Sequence, residues 1–410
     1  MRKYSIACLV AGLLVAACGG GNSAKVESGP ALLGSTAIAG VGAGTNFGFD
    51  IGTVVGARYY VTDRNNAAVD VFDTANSVQV GQIKGTGANA FAGVGLTKGA
   101  VDNSISGPDG INAVGSLLYV GDVNSVKIVD PVAQQVIKTI TVGTSGKRAD
   151  EGCVDAAHHL YIISTPEADT PFATVIDTNS QAVVATVTFT DASGAASAGL
   201  EACAYDTASD TFYINNDGTT ANPHGEFVAM PGASIRAIPA GQSVNYTALA
   251  GMRNYSEGNC DPTGLALGPG NDVAVSCREA TTGAPLLVQI MDRTNGRILA
   301  SVNAGGGDQI EYDAATNRYY NAASRWTASG LASTGGNCST ASPCTPVLSI
   351  IDAATRTIVA QLQSGNNAHS VAVDGITKKA FMPVSSGTSP GGCATCGISD
   401  PASLLTFRTQ

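Results

Sequence analysis

One line of sequence is written over and over along this chain. It reads "VFDTANSVQVGQI" from Val71, "IVDPVAQQVIKTI" from Ile128, "VIDTNSQAVVATV" from Val175, "IMDRTNGRILASV" from Ile290 and "IIDAATRTIVAQL" from Ile350. Each copy is a short apolar run that ends at an aspartate, a polar turn, and an alternating run leading back. The aspartate suits the turn because its carboxylate can accept hydrogen bonds from the amides that follow. The interval from Asp177 to Asp292 is about twice the others and holds a worn copy, "EFVAMPGASIRAI", which Pro231 interrupts. A second hairpin precedes each copy, as in "FDIGTVVGARYYVTD", "PDGINAVGSLLYVGD" and "DQIEYDAATNRYYNA", and a last one, "NAHSVAVDGITKKAFMPV", ends the series.

Seven units of two hairpins, with abundant glycine and no helical periodicity, predict an all-β chain. Repeats of four short strands bury both faces only against their neighbours, so the expected architecture is a seven-bladed β-propeller. The final unit offers three evident strands, "HSVAVD", "KAFMPV" and "LLTFRT". An open blade would leave a sheet edge unpaired, so the segment at 34–42, "GSTAIAGVG", is expected to supply the missing outer strand. The segment "YYVTDRNNAAVDVFDTANSVQVGQIKG" at 59–85 resembles the YVTN repeat of secreted bacterial and archaeal propellers, with YVTD for YVTN. The resemblance extends loosely over 45–410 and implies a seven-bladed propeller outside the cytoplasm; it brings no catalytic motif.

The N-terminus, "MRKYSIACLVAGLLVAACGGG", has two cations, an apolar run too short to span a membrane and small residues before Cys18, which is the layout of an export signal. Val15-Ala16-Ala17-Cys18 resembles a lipobox. The expected organisation is therefore a signal peptide at 1–17, a lipidated Cys18 with a flexible tether to residue 33, and one domain over 34–410. Gly19 stands where an inner-membrane retention signal would place Asp, which favours the outer membrane, facing the periplasm or the surface. The membrane would hold the lipid alone. The formal net charge is −10, and removing the signal takes Arg2 and Lys3 away, so nucleic acid and anionic lipid are poor partners for the domain. A monomer is expected, open to a protein or small-molecule partner.

Eight further cysteines in an exported chain read as disulfides. Cys153 and Cys203 fall at one level of successive inner strands, and Cys260 and Cys277 flank one hairpin. Cys338 with Cys344 and Cys393 with Cys396 are close pairs in loop-like stretches. The "CATC" spacing also fits a redox motif or half a zinc site, but no helix and no second CxxC accompany it.

Aligning the first strands of the seven units gives one recurrent ionisable position: Asp50, Asp109, Glu151, Glu201, Asp308 and His369, with a gap at Gly264 and Asp261 three residues earlier. First strands line the channel of a propeller, so these residues are expected to ring one mouth. The loops between strands two and three share that mouth and are the long ones here, at 216–226, 278–285, 325–346 and 385–403. Crowded carboxylates are relieved by hydrogen bonds, protonation or a cation, and oxygen ligands suit Ca²⁺ or another divalent cation. His369 would admit a transition metal, and His224, on a top loop, could converge with it. His158 and His159 read as solvated turn residues, and Trp326 as packing for its loop or a ligand platform. Three roles for the ring stay open at this point: a structural device, a cation site, or an organic ligand site. The leading functional expectation is a non-catalytic binding propeller, and the alternative is a metal-dependent, lactonase-like hydrolase at the same mouth.

Overall fold

The computed structural model describes residues 29–278, 281–332, 343–387 and 401–410. It contains seven antiparallel sheets of four consecutive strands or their equivalent, arranged as the blades of a propeller. Blade 1 comprises Phe49–Val55, Arg58–Asp63, Ala68–Asp73 and Val78–Lys84, running from the channel outward. The two middle strands are buried almost throughout, whereas the outer strand alternates with solvent. This is the pattern expected when each sheet is sandwiched between two neighbours.

The repeated aspartate does the work its position suggests. Asp73 Oδ1 accepts the amide of Asn76 at 2.9 Å, and the same bond joins Asp130 to Ala133, Asp177 to Ser180 and Asp352 to Thr355; Asp292 uses Thr294. Four residues after each aspartate the chain adopts a positive φ, at Ser77, Gln134, Gln181, Gly296 and Arg356. A bulge follows in every one of these pairings. Asp73 pairs with Val78, and the other copies pair in the same way, so each hairpin closes through four residues ending in the left-handed one, a common hairpin loop length. Only one of the five left-handed positions is glycine, so the sequence signal is the aspartate.

Blade 7 consists of Ala372–Asp374, Lys379–Val384, Ser403–Arg408 and, as its outer strand, Ala31–Ala37. The N-terminal strand thus closes the ring, pairing antiparallel with Ser403–Arg408. It lies a few residues earlier than the segment at 34–42; the chain after Ala37 turns inward instead, burying Ile38 and Val41 against Phe47 and Leu404.

Blade 4 departs from the expected pattern. After Glu226–Pro231 the chain forms a short helix, Gly232–Arg236, because the proline ends the strand and has no amide to continue the ladder. Gln242–Asn245 then lies parallel to Ala182–Thr188 and covers the outer edge of blade 3. Only afterwards does Arg253–Ser256 return as the outer strand of blade 4. The worn copy "EFVAMPGASIRAI" therefore supplies one strand of its blade, not two.

Charged links tie neighbouring blades at the turn face. Arg356 makes two bonds of 3.0 Å to Asp272, and Arg293 reaches Asp206 at 3.0 Å. No helix among the described residues is long and apolar enough to cross a membrane. Cys18 and the segment at 1–17 lie outside the described residues, as do Cys338, Cys393 and Cys396.

Candidate functional site

At the start of the first strands the channel opens into a cavity of about 520 Å³. Asp50, Glu151, Glu201, Asp308 and His369 all line it, contributed by blades 1, 3, 4, 6 and 7. Five of the six ring positions are therefore brought together. Asp109 is the exception: it is fully buried behind the wall, accepting from Arg64 Nε at 3.1 Å and from Arg148 Nη1 at 3.4 Å. The gap at Gly264 has a steric cause, since a Cβ there would stand 2.0 Å from the Asp308 carbonyl oxygen of the next blade. In that blade Thr263 lines the cavity instead, donating to Ser276 O and Gly307 O.

The arginines at this mouth carry no mark in the repeat. Arg64, Arg148, Arg278 and Arg325 line the same cavity. Arg64 Nη2 bonds Asp50 Oδ2 at 2.9 Å and also reaches Asp109. Arg148 lies within 3.3 Å of Asp50, 2.8 Å of Asp150 and 3.0 Å of Glu167. Arg278 contacts Glu201 at 3.2 Å and Asp217 at 3.5 Å. A signal for three of them was available: Arg64 follows Asp63, Arg278 follows Cys277 and Arg325 comes two residues after Ala323, each just past the end of a second strand. That is where the chain enters the mouth.

The charges are divided unevenly across the cavity. Burial alone would raise the Asp50 carboxyl, but Arg64, His369 and Arg148 outweigh it and hold the group far below the usual carboxylate range. Burial pushes Asp109 up to about 7 in spite of the same two arginines. Glu151 is held well above its ordinary value by burial and by facing Asp308, and Glu201 by burial and Asp217. The oxygens of Glu151, Glu201 and Asp308 lie within 4.8 Å of one another. Just below, the Cys153–Cys203 disulfide joins the inner strands that carry Glu151 and Glu201, with Cα atoms 5.3 Å apart. Cys260 and Cys277 form a second disulfide at the top of blade 5.

Glu311, three residues after Asp308, does not join it: its Oε2 accepts the amide of Val373 at 2.9 Å, and burial pushes its carboxyl up to about 8. The other histidines and the tryptophan lie outside the cavity or at its rim. His224 does not converge with His369; its Nδ1 is 3.1 Å from Asp261, because both sit at the rim of blades 4 and 5. His158 is more than a solvated turn residue, since its Nδ1 is 2.7 Å from buried Asp155, which Arg236 also contacts. His159 is exposed and has a left-handed φ of 58°. Trp326 is half-buried beside Gly330 of its own loop and does not line the cavity.

No protein-family model matches the chain, and no curated protein sequence does. Among solved structures it is similar to Kuenenia stuttgartiensis hydrazine synthase, with 15% identity, a TM-score of 0.58, and coverage of 85% of this chain and 96% of that one. A chain of the mitotic checkpoint complex matches with 11% identity and a TM-score of 0.55, covering 92% of this chain and 96% of its own. The Neurospora crassa Pan2 WD40 domain matches with 8% identity and a TM-score of 0.55, covering 92% and 94%. At such identities these likenesses show the propeller fold alone.

Proposed function

We propose that this chain is a lipid-anchored, extracytoplasmic propeller of the YVTN-repeat kind that binds a small polar ligand at its mouth without transforming it. The observation that carries the reading is the cavity. Its size is in the range of small-molecule sites, and its wall draws charged side chains of both signs from separate blades. A purely structural ring would need only local partners for each acid. Here Glu151 and Asp308 face each other across open space. The lactonase-like alternative uses the same mouth and would add turnover to binding.

The test is a thermal-shift survey of the purified protein in metal-free buffer, using size-matched organic cations, anions, zwitterions and neutral polyols. One class is expected to raise the melting temperature by several degrees. Glu151→Gln and Arg278→Met, which alter opposite charges in the wall, should each weaken that shift. Equal indifference to all four classes would contradict the reading, as would a shift that both variants leave intact.

A further inference from the structure

Among the described residues, four clusters bring three metal-ligating side chains within 4.8 Å of one another. In the cluster of Asp50, Asp109 and Asp150, the guanidiniums of Arg64 and Arg148 already occupy the space between the carboxylates. In the cluster of Asp155, His158 and Asp210, Arg236 contacts both aspartates in the same way. Glu151, Glu201 and Asp308 are carboxylates only, and nothing further about them points to an ion. The fourth cluster, Asp50, Asp308 and His369, is different in kind.

Its imidazole is oriented as a ligand would be. His369 Nδ1 lies 2.8 Å from the Asn367 carbonyl oxygen, which can only accept, so this nitrogen carries the proton. The ring stacks on Phe49 with centroids 4.4 Å apart and planes 10° apart, which fixes its direction. Nε2 is thereby turned toward Asp50 Oδ1 at 3.7 Å. That separation is too long for a hydrogen bond, yet an ion with bonds of about 2.0–2.2 Å to each atom can bridge it. A backbone carbonyl that holds the far nitrogen of the ring is the usual outer-shell support of a metal-bound histidine.

The two carboxylates are equally disposed. Asp50 gives its Oδ2 to Arg64 and Arg148 and leaves Oδ1 facing the histidine. Asp308 has no hydrogen-bond partner for its side chain among the described residues, and it lines the cavity.

We infer that Asp50, Asp308 and His369 form a site for a divalent transition-metal ion, open toward the cavity. One imidazole and two carboxylates suit Zn²⁺, Mn²⁺ or Fe²⁺ better than Ca²⁺, which takes an all-oxygen shell. Three protein ligands leave coordination positions free. The cavity ligand would then be one that offers an oxygen donor, such as a carboxylate or a vicinal diol. This inference rests on the reading of the cavity as a ligand site.

The test is titration of the metal-free protein with Co²⁺, followed by its visible absorption, with Zn²⁺ as competitor. One equivalent should bind, with a ligand-field spectrum that Zn²⁺ abolishes. His369→Ala and Asp308→Asn should each weaken binding by at least about tenfold, since even outer-shell partners are worth that much. His224→Ala, at a histidine outside the cavity, should bind Co²⁺ like the parent, and far-UV dichroism would verify that each variant is folded. No saturable binding at micromolar Co²⁺ would overturn the inference, as would binding that His369→Ala leaves unchanged or that His224→Ala removes. Loss of this site with a surviving thermal shift from an organic compound sinks the metal alone. Bound Co²⁺ with no compound shifting either the metal-free or the Co²⁺-loaded protein sinks the ligand reading alone.

Discussion

Excision of residues 31–41 will leave a protein that unfolds at a much lower urea concentration than the full chain and that associates on standing. The outer strand itself is mostly solvent-facing, so the loss does not come chiefly from its side chains. It comes first from Ile38 and Val41, which are 2% and 8% exposed and pack on Phe47, Phe49 and Leu404. Burying two such aliphatics contributes about 3–6 kcal/mol. It comes also from the ladder between Ala31–Ala37 and Ser403–Arg408. Without it Ser403–Arg408 becomes an open edge, and an unprotected edge is a template for pairing with another chain. Equilibrium unfolding in urea with light scattering measures both effects. An unchanged midpoint would mean that the ring does not depend on this strand.

Replacing Arg64 by Met should cost about 3–5 kcal/mol at pH 8, the usual penalty for removing one partner of a buried ion pair. Arg64 is nearly inaccessible and touches both Asp50 and Asp109. The loss should shrink on going to pH 5, and the sign follows from Asp109. Its folded carboxyl titrates at about 7, raised by burial, while in the unfolded chain it titrates near about 3.9. A raised acid binds its proton more tightly in the folded state, so its contribution to stability is greatest at low pH and declines as pH rises from about 4 to about 7. Removing the guanidinium raises Asp109 further, and at pH 5 the folded protein meets this by keeping that proton. At pH 8 the charge is left in place with Arg148 as its remaining partner. Urea unfolding of both proteins at the two pH values measures the difference, and a loss of equal size at both would contradict it.

Much of this molecule is legible in its repeat, for a physical reason. Asp73, Asp130, Asp177, Asp292 and Asp352 each close a turn by a local hydrogen bond, and local chemistry survives in sequence. The acids of the first strands are legible because a single register places them at one level of one channel. Arg148, which meets two of them, is not, since it pairs with Asp50 and Asp109 only once the blades have closed around it. Nor is the detour of blade 4: Pro231 signals that a strand ends, but not that Gln242–Asn245 crosses to blade 3. His369, in the register, and His224, on a top loop, share a mouth but not a direction, because Asp261 captures the loop histidine and Phe49 the ring one. The sequence resemblance to YVTN repeats rests on the pattern at 59–85; the solved structures add the propeller and nothing narrower.

Acids written far apart in the chain face one another across one cavity. Glu151 and Asp308 make the sharpest case, since Asp308 is the largest cause, after burial, of the raised Glu151 carboxyl. The direct measurement is a carboxyl carbon NMR titration of selectively labelled Glu151 in the parent protein and in Asp308→Asn. The parent midpoint should stand well above that of an ordinary glutamate and fall clearly in the variant. The same midpoint in both proteins would show that the two side chains do not share a site.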